Sequence, residues 1–155
     1  MKKKMEMNEK IAEFVHHCYW DLDINCARTT LLCLGELFQV AISPQVLQSA
    51  VGLHGAGGFR AQCGLVEGTL MFLGIYASQK GKSDSETADL CYDFADEFTK
   101  RFSSLRCREL RPNGFTESDP PHACERLTAE AIGFACDFIR NESGLSYGDH
   151  DYRNQ

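Results

Sequence analysis

An all-α fold of about six helices, in a single compact bundle or orthogonal array, is the architecture this sequence predicts, and three observations carry it. Apolar residues recur at spacings of three and four along most of the chain. No segment alternates polar and apolar residues as a half-buried strand would. Helix-start signals stand at Ser43, Ser83 and Asp119. A length of 155 residues with 43% hydrophobic content fits one ordinary domain around one core. A single cysteine-rich helical domain over 1–155 is therefore expected, with residues 1–6 and 145–155 frayed.

Met7, Ile11, Phe14, Val15 and Cys18 share one face of a first helix. Asp23 or Asn25 can cap a second. On that helix Ile24, Ala27, Leu31, Leu34 and Phe38 make one stripe and Cys26, Thr30, Cys33 and Leu37 another, which predicts a central position. Ser43 followed by Pro44 reads as an N-cap with proline at the first helical position, opening a short helix to about Val51. The next segment, Gly52-Leu53-His54-Gly55-Ala56-Gly57-Gly58-Phe59-Arg60, cannot be regular helix and must be a loop with unusual backbone angles. It delivers the chain to Cys63.

A fourth helix is expected from about Gln62 to Leu73, with Gly74 near its end. Its Gly64 and Gly68, four apart, leave a bare strip where another helix can approach. Ser83 and Glu86 form a capping box for a long helix. That helix shows Thr87, Cys91, Phe94, Ala95, Phe98 and Phe102 on one face and ends near Ser103 and Ser104. Residues 111–121 form a polar loop. Asp119-Pro120 then reads as the start of a last helix carrying Leu127, Ala131, Phe134 and Phe138 inward.

Composition removes several function classes. The net charge is −6, with 22 acidic against 16 basic residues, so no basic face for nucleic acid is expected. Lys2, Lys3 and Lys4 resemble the start of an export signal, but Glu6, Glu9 and Lys10 stand where an apolar stretch should follow. The most apolar segment, residues 65–76, falls short of the ~20 residues that span a bilayer and carries Glu67, so no membrane insertion is expected. A cytoplasmic setting with reduced thiols follows as the expectation for the eight cysteines. No C-x-x-C occurs, which removes thioredoxin-type pairs, zinc-ribbon knuckles and haem attachment sites.

Helical position sorts the eight. Cys18 and Cys91 point along the centres of apolar faces and read as buried, inert core filler. Cys33 lies two turns from Cys26, ~10.5 Å along one helix, too far for a disulfide between them. Cys136 sits ~120° around its helix from Cys124, on the flank of the apolar stripe, and reads as structural too. Cys26, Cys63 and Cys124 fall in the first turn or two of helices, and Cys107 in the connection after the long helix. Near a helix N-terminus unpaired N–H groups and the macrodipole favour thiolate, which creates a nucleophile or a metal ligand. The alternative is a small residue tolerated near a helix end.

The segments Asn25-Cys26-Ala27, Cys63-Gly64-Leu65-Val66-Glu67-Gly68 and Cys107-Arg108-Glu109-Leu110, with Cys124 near the start of the last helix, resemble the C_GCAxxG_C_C family of redox-active proteins. The glycine-rich stretch before Cys63 fits that family as well. Its pattern usually reads C-G-A-x-x-G, and here Leu65 replaces the alanine. The resemblance implies a helical protein with a redox role and four signature cysteines, corresponding to Cys26, Cys63, Cys107 and Cys124.

Other constellations are weaker. Gly55-x-Gly57-Gly58 lacks the preceding strand of a dinucleotide fingerprint and reads as a tight turn, although Arg60 beside it could hold a small anion next to Cys63. His16 and His17 point ~100° apart and read as surface residues. His54 and His122, each near a signature cysteine, could serve as a thiolate-stabilising base or a metal ligand, or be solvated loop residues. Glu67, within an apolar helix, must face water or find a partner.

Three readings stay open. One is a thiol redox protein in which Cys26, Cys63, Cys107 and Cys124 exchange dithiol for disulfide, or relay electrons, with a redox partner protein. Another is a metalloprotein holding Zn²⁺ or an iron–sulfur cluster on the same four cysteines, although four scattered segments are an unusual source of structural zinc ligands. The last is a helical scaffold or assembly module without an active thiol. A homo-oligomer is compatible with each.

Overall fold

The computed structural model describes residues 1–111, 114–142 and 145. Among these residues lie eight helices and no strand, two helices more than the expected six. They are α1 (Lys2–His16), α2 (Cys26–Phe38), α3 (Pro44–Ser49), α4 (Gly55–Gly58), α5 (Gly64–Gln79), α6 (Asp84–Phe102), α7 (Cys107–Leu110) and α8 (Glu125–Asn141). The additional pair, α4 and α7, are single turns, too short for periodicity to reveal. Helix α1 includes the opening residues expected to fray and runs on into a wider π-type turn at His17–Asp21. The expected fraying after Gly144 lies outside the described residues, save Leu145, which is buried.

Capping chemistry fixes several boundaries. Asn25, not Asp23, caps α2: its Oδ1 accepts the Arg28 N–H at 2.9 Å, while Asp23 takes φ 50°. Ser83 and Glu86 close the expected capping box on α6, at 3.2 and 2.7 Å. Asp119-Pro120 does not open the last helix. The Asp119 carboxylate is engaged by Thr116 and by Arg111 at 3.0 Å, and α8 starts at Glu125 with Cys124 in the capping position. Helix α5 also runs past its expected end, since Gly74 is followed by Tyr76 and Ala77, both buried, and their packing outweighs one glycine.

The centre of the molecule is the α2 and α5 pair, the most extensive helix partnership. Glycine permits it: a Cβ on Gly68 would lie 2.6 Å from the Ala27 carbonyl oxygen, so the two backbones approach across the bare strip. Helix α8 packs on α1, α2 and α5, and α6 packs on α5. Phe38, Phe72 and Tyr76 stack between α2 and α5, with Phe94, Phe98, Phe134 and Phe138 between α6 and α8. Burying each such ring contributes about 1.5–3 kcal/mol.

Cys18 is fully buried, and Cys33 and Cys136 are 1% exposed, as helical position predicts. Cys91 departs from expectation. The buried line of α6 is Leu90, Phe94 and Phe98, which puts Cys91 on its flank and only partly buried. No helix among the described residues is long and apolar enough to cross a membrane.

Candidate functional site

All four signature cysteines stand where a helix begins. Cys26 is the first residue of α2, Cys63 the cap of α5, Cys107 the first residue of α7, and Cys124 the cap of α8. Three devices gather these helix starts. The α2 and α5 contact sets Gly64 directly against Cys26, where any Cβ would overlap its Sγ and the Leu53 carbonyl oxygen. An isolated antiparallel bridge joins Gln62 to Arg106: the Cys63 N–H donates to the Leu105 carbonyl at 2.8 Å and the Cys107 N–H to the Ala61 carbonyl at 2.7 Å. The glycine loop, left-handed at Gly55, Ala56, Gly57, Gly58 and Arg60, brings Gly55 against Cys107, where a Cβ would lie 3.1 Å from that of the cysteine. These angles match the loop the sequence predicts.

Cys26, Cys107 and Cys124 line one cavity of ≈ 290 Å³. Cys63 is buried, and its thiol is electrostatically linked to all three. Tyr19, Ile24 and Phe115 supply apolar wall. Arg60 and Arg111 enter the same cavity, with guanidinium carbons 4.1 and 4.5 Å from the centre of the Phe115 ring. His54 and His122 also line it. His122, at φ 57°, stacks on Tyr19 at 5.2 Å and meets the edge of Trp20 at 4.7 Å. Tyr19 is fixed in turn by a 2.6 Å hydrogen bond to Thr128. A groove of ≈ 390 Å³ between α1 and α8 is larger, but Cys136, buried at 1%, is the sole cysteine on it.

Helix starts do not lower these thiols, contrary to the sequence expectation. Burial pushes Cys26 up to about 11, and neighbouring charge at Cys107 and Cys124 adds to the rise. Burial pushes Cys63 up to about 12; the Leu65 amide at the start of α5 opposes the shift and loses. Cys107 and Cys124 are raised by burial too, but cations resist: Arg111 and Arg60 at Cys107, Arg111 at Cys124. Every pair among the four is linked, Cys26 with Cys107 and Cys124, Cys63 with all three others, and Cys124 with Cys107. A second thiolate in the group is therefore opposed by the first.

All eight cysteines are free thiols. Among the described residues no three or more His, Cys, Asp or Glu side chains are gathered so as to hold a metal ion. His16 and His17 lie on the surface, bonded to Glu125 and Asp21 at 2.7 Å each. Glu67 is half-buried.

Arg111, Phe115 and Tyr19 are the cavity residues that sequence reading misses. Arg106, Arg108 and Arg111 around Cys107 were a usable signal, since cations near a thiol matter to its ionisation.

The family model described as "Putative redox-active protein (C_GCAxxG_C_C)" matches residues 24–138, most of the chain. No curated protein and no solved structure matches it.

Proposed function

The chain belongs to the C_GCAxxG_C_C family, and on that premise we propose that it is a thiol redox protein working through Cys26, Cys63, Cys107 and Cys124. Two thiols of the group form one S–S bond, giving two electrons and two protons to an oxidant, and a redox partner protein returns them. The observation that carries this reading is the shared cavity, on which three of the four thiols meet two arginines. Cys107 is the entry point because it alone has both arginines offsetting its burial. The cytoplasm is the compartment this reading assigns, since thiols there are kept reduced between turnovers.

Equilibrating the protein in glutathione buffers of graded potential and counting free thiols tests the proposal. Two thiols should disappear together along a two-electron curve and return on adding dithiothreitol. A count that stays at eight across the range accessible to glutathione would overturn it.

A further inference from the structure

We propose that Arg60 and Arg111, stacked on Phe115, form a cradle for the negative group of a small disulfide substrate, holding its sulfur against Cys107. The inference rests on the thiol redox reading and deepens it by naming the substrate class, a low-molecular-weight disulfide bearing a carboxylate.

Charge is the first support. Two guanidinium groups crowd one aromatic ring, yet the single carboxylate paired there is Asp119, on Arg111. No carboxylate among the described residues pairs with Arg60. The buried Arg111 Nε has no hydrogen-bond partner among them either. Arg60, the cavity guanidinium with no carboxylate partner, is a built donor site for a planar anion such as a carboxylate, while the Arg111 Nε is shut away from solvent and out of a ligand's reach. Backbone geometry is the second support. Arg60 is held at φ 70°, a conformation disfavoured for a side-chain-bearing residue, and its own carbonyl is tied to the Arg108 N–H at 3.4 Å. The loop therefore keeps this cation beside Cys107. Size and lining are the third. The cavity of ≈ 290 Å³ suits a small molecule, with Tyr19, Ile24 and Phe115 for its carbon skeleton.

The chemistry balances. Cys107 releases its proton to water, and the thiolate attacks the near sulfur of RS–SR. As the Cys107–SR bond forms, the substrate S–S bond breaks, and RS⁻ leaves and takes up a proton. A second cluster thiol displaces the bound RS group, closing a protein disulfide and releasing the second RSH. The substrate is reduced by two electrons and the protein oxidised by two.

Reduced protein would be treated with an anionic disulfide, dithiobis(nitrobenzoate), and a neutral one, dithiodipyridine. Each rate at Cys107 is read by peptide mass and divided by the rate for the same cysteine in the unfolded chain. The normalised rate should favour the anionic probe, and Arg60→Met should lower that preference about tenfold, on top of an equal slowing of both probes from the loss of a cation that favours the Cys107 thiolate. Arg60 is exposed, so this variant keeps the fold; Arg111→Met should act in the same direction. Equilibrium dialysis of S-methylthiosalicylate, an anionic thioether that cannot exchange, reads the cradle without redox chemistry. Binding to the wild type and loss in Arg60→Met supports the cradle even if the glutathione titration fails, in which case the redox reading falls alone. Reversible cluster oxidation with equal normalised rates for the two probes, or a preference that Arg60→Met leaves unchanged, would overturn the cradle alone.

Discussion

Cys18, Cys33 and Cys136 lie inside the helical core, at most 1% exposed, whereas Cys26, Cys107 and Cys124 line an open cavity with Cys63 linked to them. The two groups have more in common than exposure suggests. Burial raises every one of these thiols, and the core group is also linked, Cys33 being raised further by Cys136 and Cys18. A raised and crowded thiol is therefore not what marks the candidate site. The difference lies in what the sulfur can meet: Cys18 and Cys33 are enclosed in the core, and Cys136, although it borders a groove with Arg140, is 1% exposed, whereas Cys26, Cys107 and Cys124 stand on a cavity wall with two arginines and two histidines. Access to a cavity that also carries opposing charge, rather than charge alone, cysteine number or helical position, separates reactive from inert sulfur here.

The largest expected effect is on reactivity. In native reduced protein Cys107 should be alkylated about 1,000-fold faster than Cys33, which reacts only through openings that cost about 4 kcal/mol. Comparable rates, read by peptide mass, would erase the distinction between the groups.

Stability should divide the opposite way. Cys33→Ser buries a hydroxyl among apolar side chains and should destabilise by about 1–3 kcal/mol in urea unfolding. Cys107→Ser, partly exposed, should stay within about 0.5 kcal/mol. Equal losses would mean that the cavity wall is as tightly packed as the core.

Alkaline pH sharpens the comparison. The folded state holds these thiol protons more tightly than the unfolded chain, so the stability they contribute is complete below the ordinary thiol value of 9.0. It should fall as pH rises through 9.0 toward about 11 for Cys26 and about 12 for Cys63 and Cys136. Oxidising the cavity group removes its share, so a disulfide form should lose less stability with pH than the reduced form, while the core share stays. Identical slopes in the two forms would argue that the cavity thiols do not titrate as a group.

The smallest effect serves as a control distant from both groups. Ser83→Ala removes the capping hydroxyl of α6 and should destabilise by about 1 kcal/mol without changing the alkylation rate of Cys107. A Cys107 rate that rises in step with the lost stability would show that access to the cavity follows global opening.

What sequence could reveal was local. The Ser83 and Glu86 box, the Ser43 cap and the burial of Cys18 each depend on residues within one helix, so three-and-four spacing and cap chemistry reach them. Asp119 and Cys91 misled for a related reason. A good capping residue was engaged instead by Thr116 and Arg111, and an apolar stripe turned by one residue when α6 met its neighbours. The four signature cysteines could be named from their motifs, yet their meeting depends on pairing residues 61–63 with 105–107, which no local pattern encodes. The electrostatic outcome was likewise out of reach: helix position argues for lowered thiols, and only the packed structure shows burial outweighing the amides.

The most direct test of the account is to map which thiols are lost on oxidation. Reduced protein would be oxidised mildly, its remaining thiols blocked with one isotopic form of an alkylating reagent, the disulfides reduced, and the released thiols labelled with another. The account predicts the second label on two of Cys26, Cys63, Cys107 and Cys124, Cys107 among them, and none on Cys18, Cys33 or Cys136. Second label on the core cysteines, or an even spread over all eight, would contradict it.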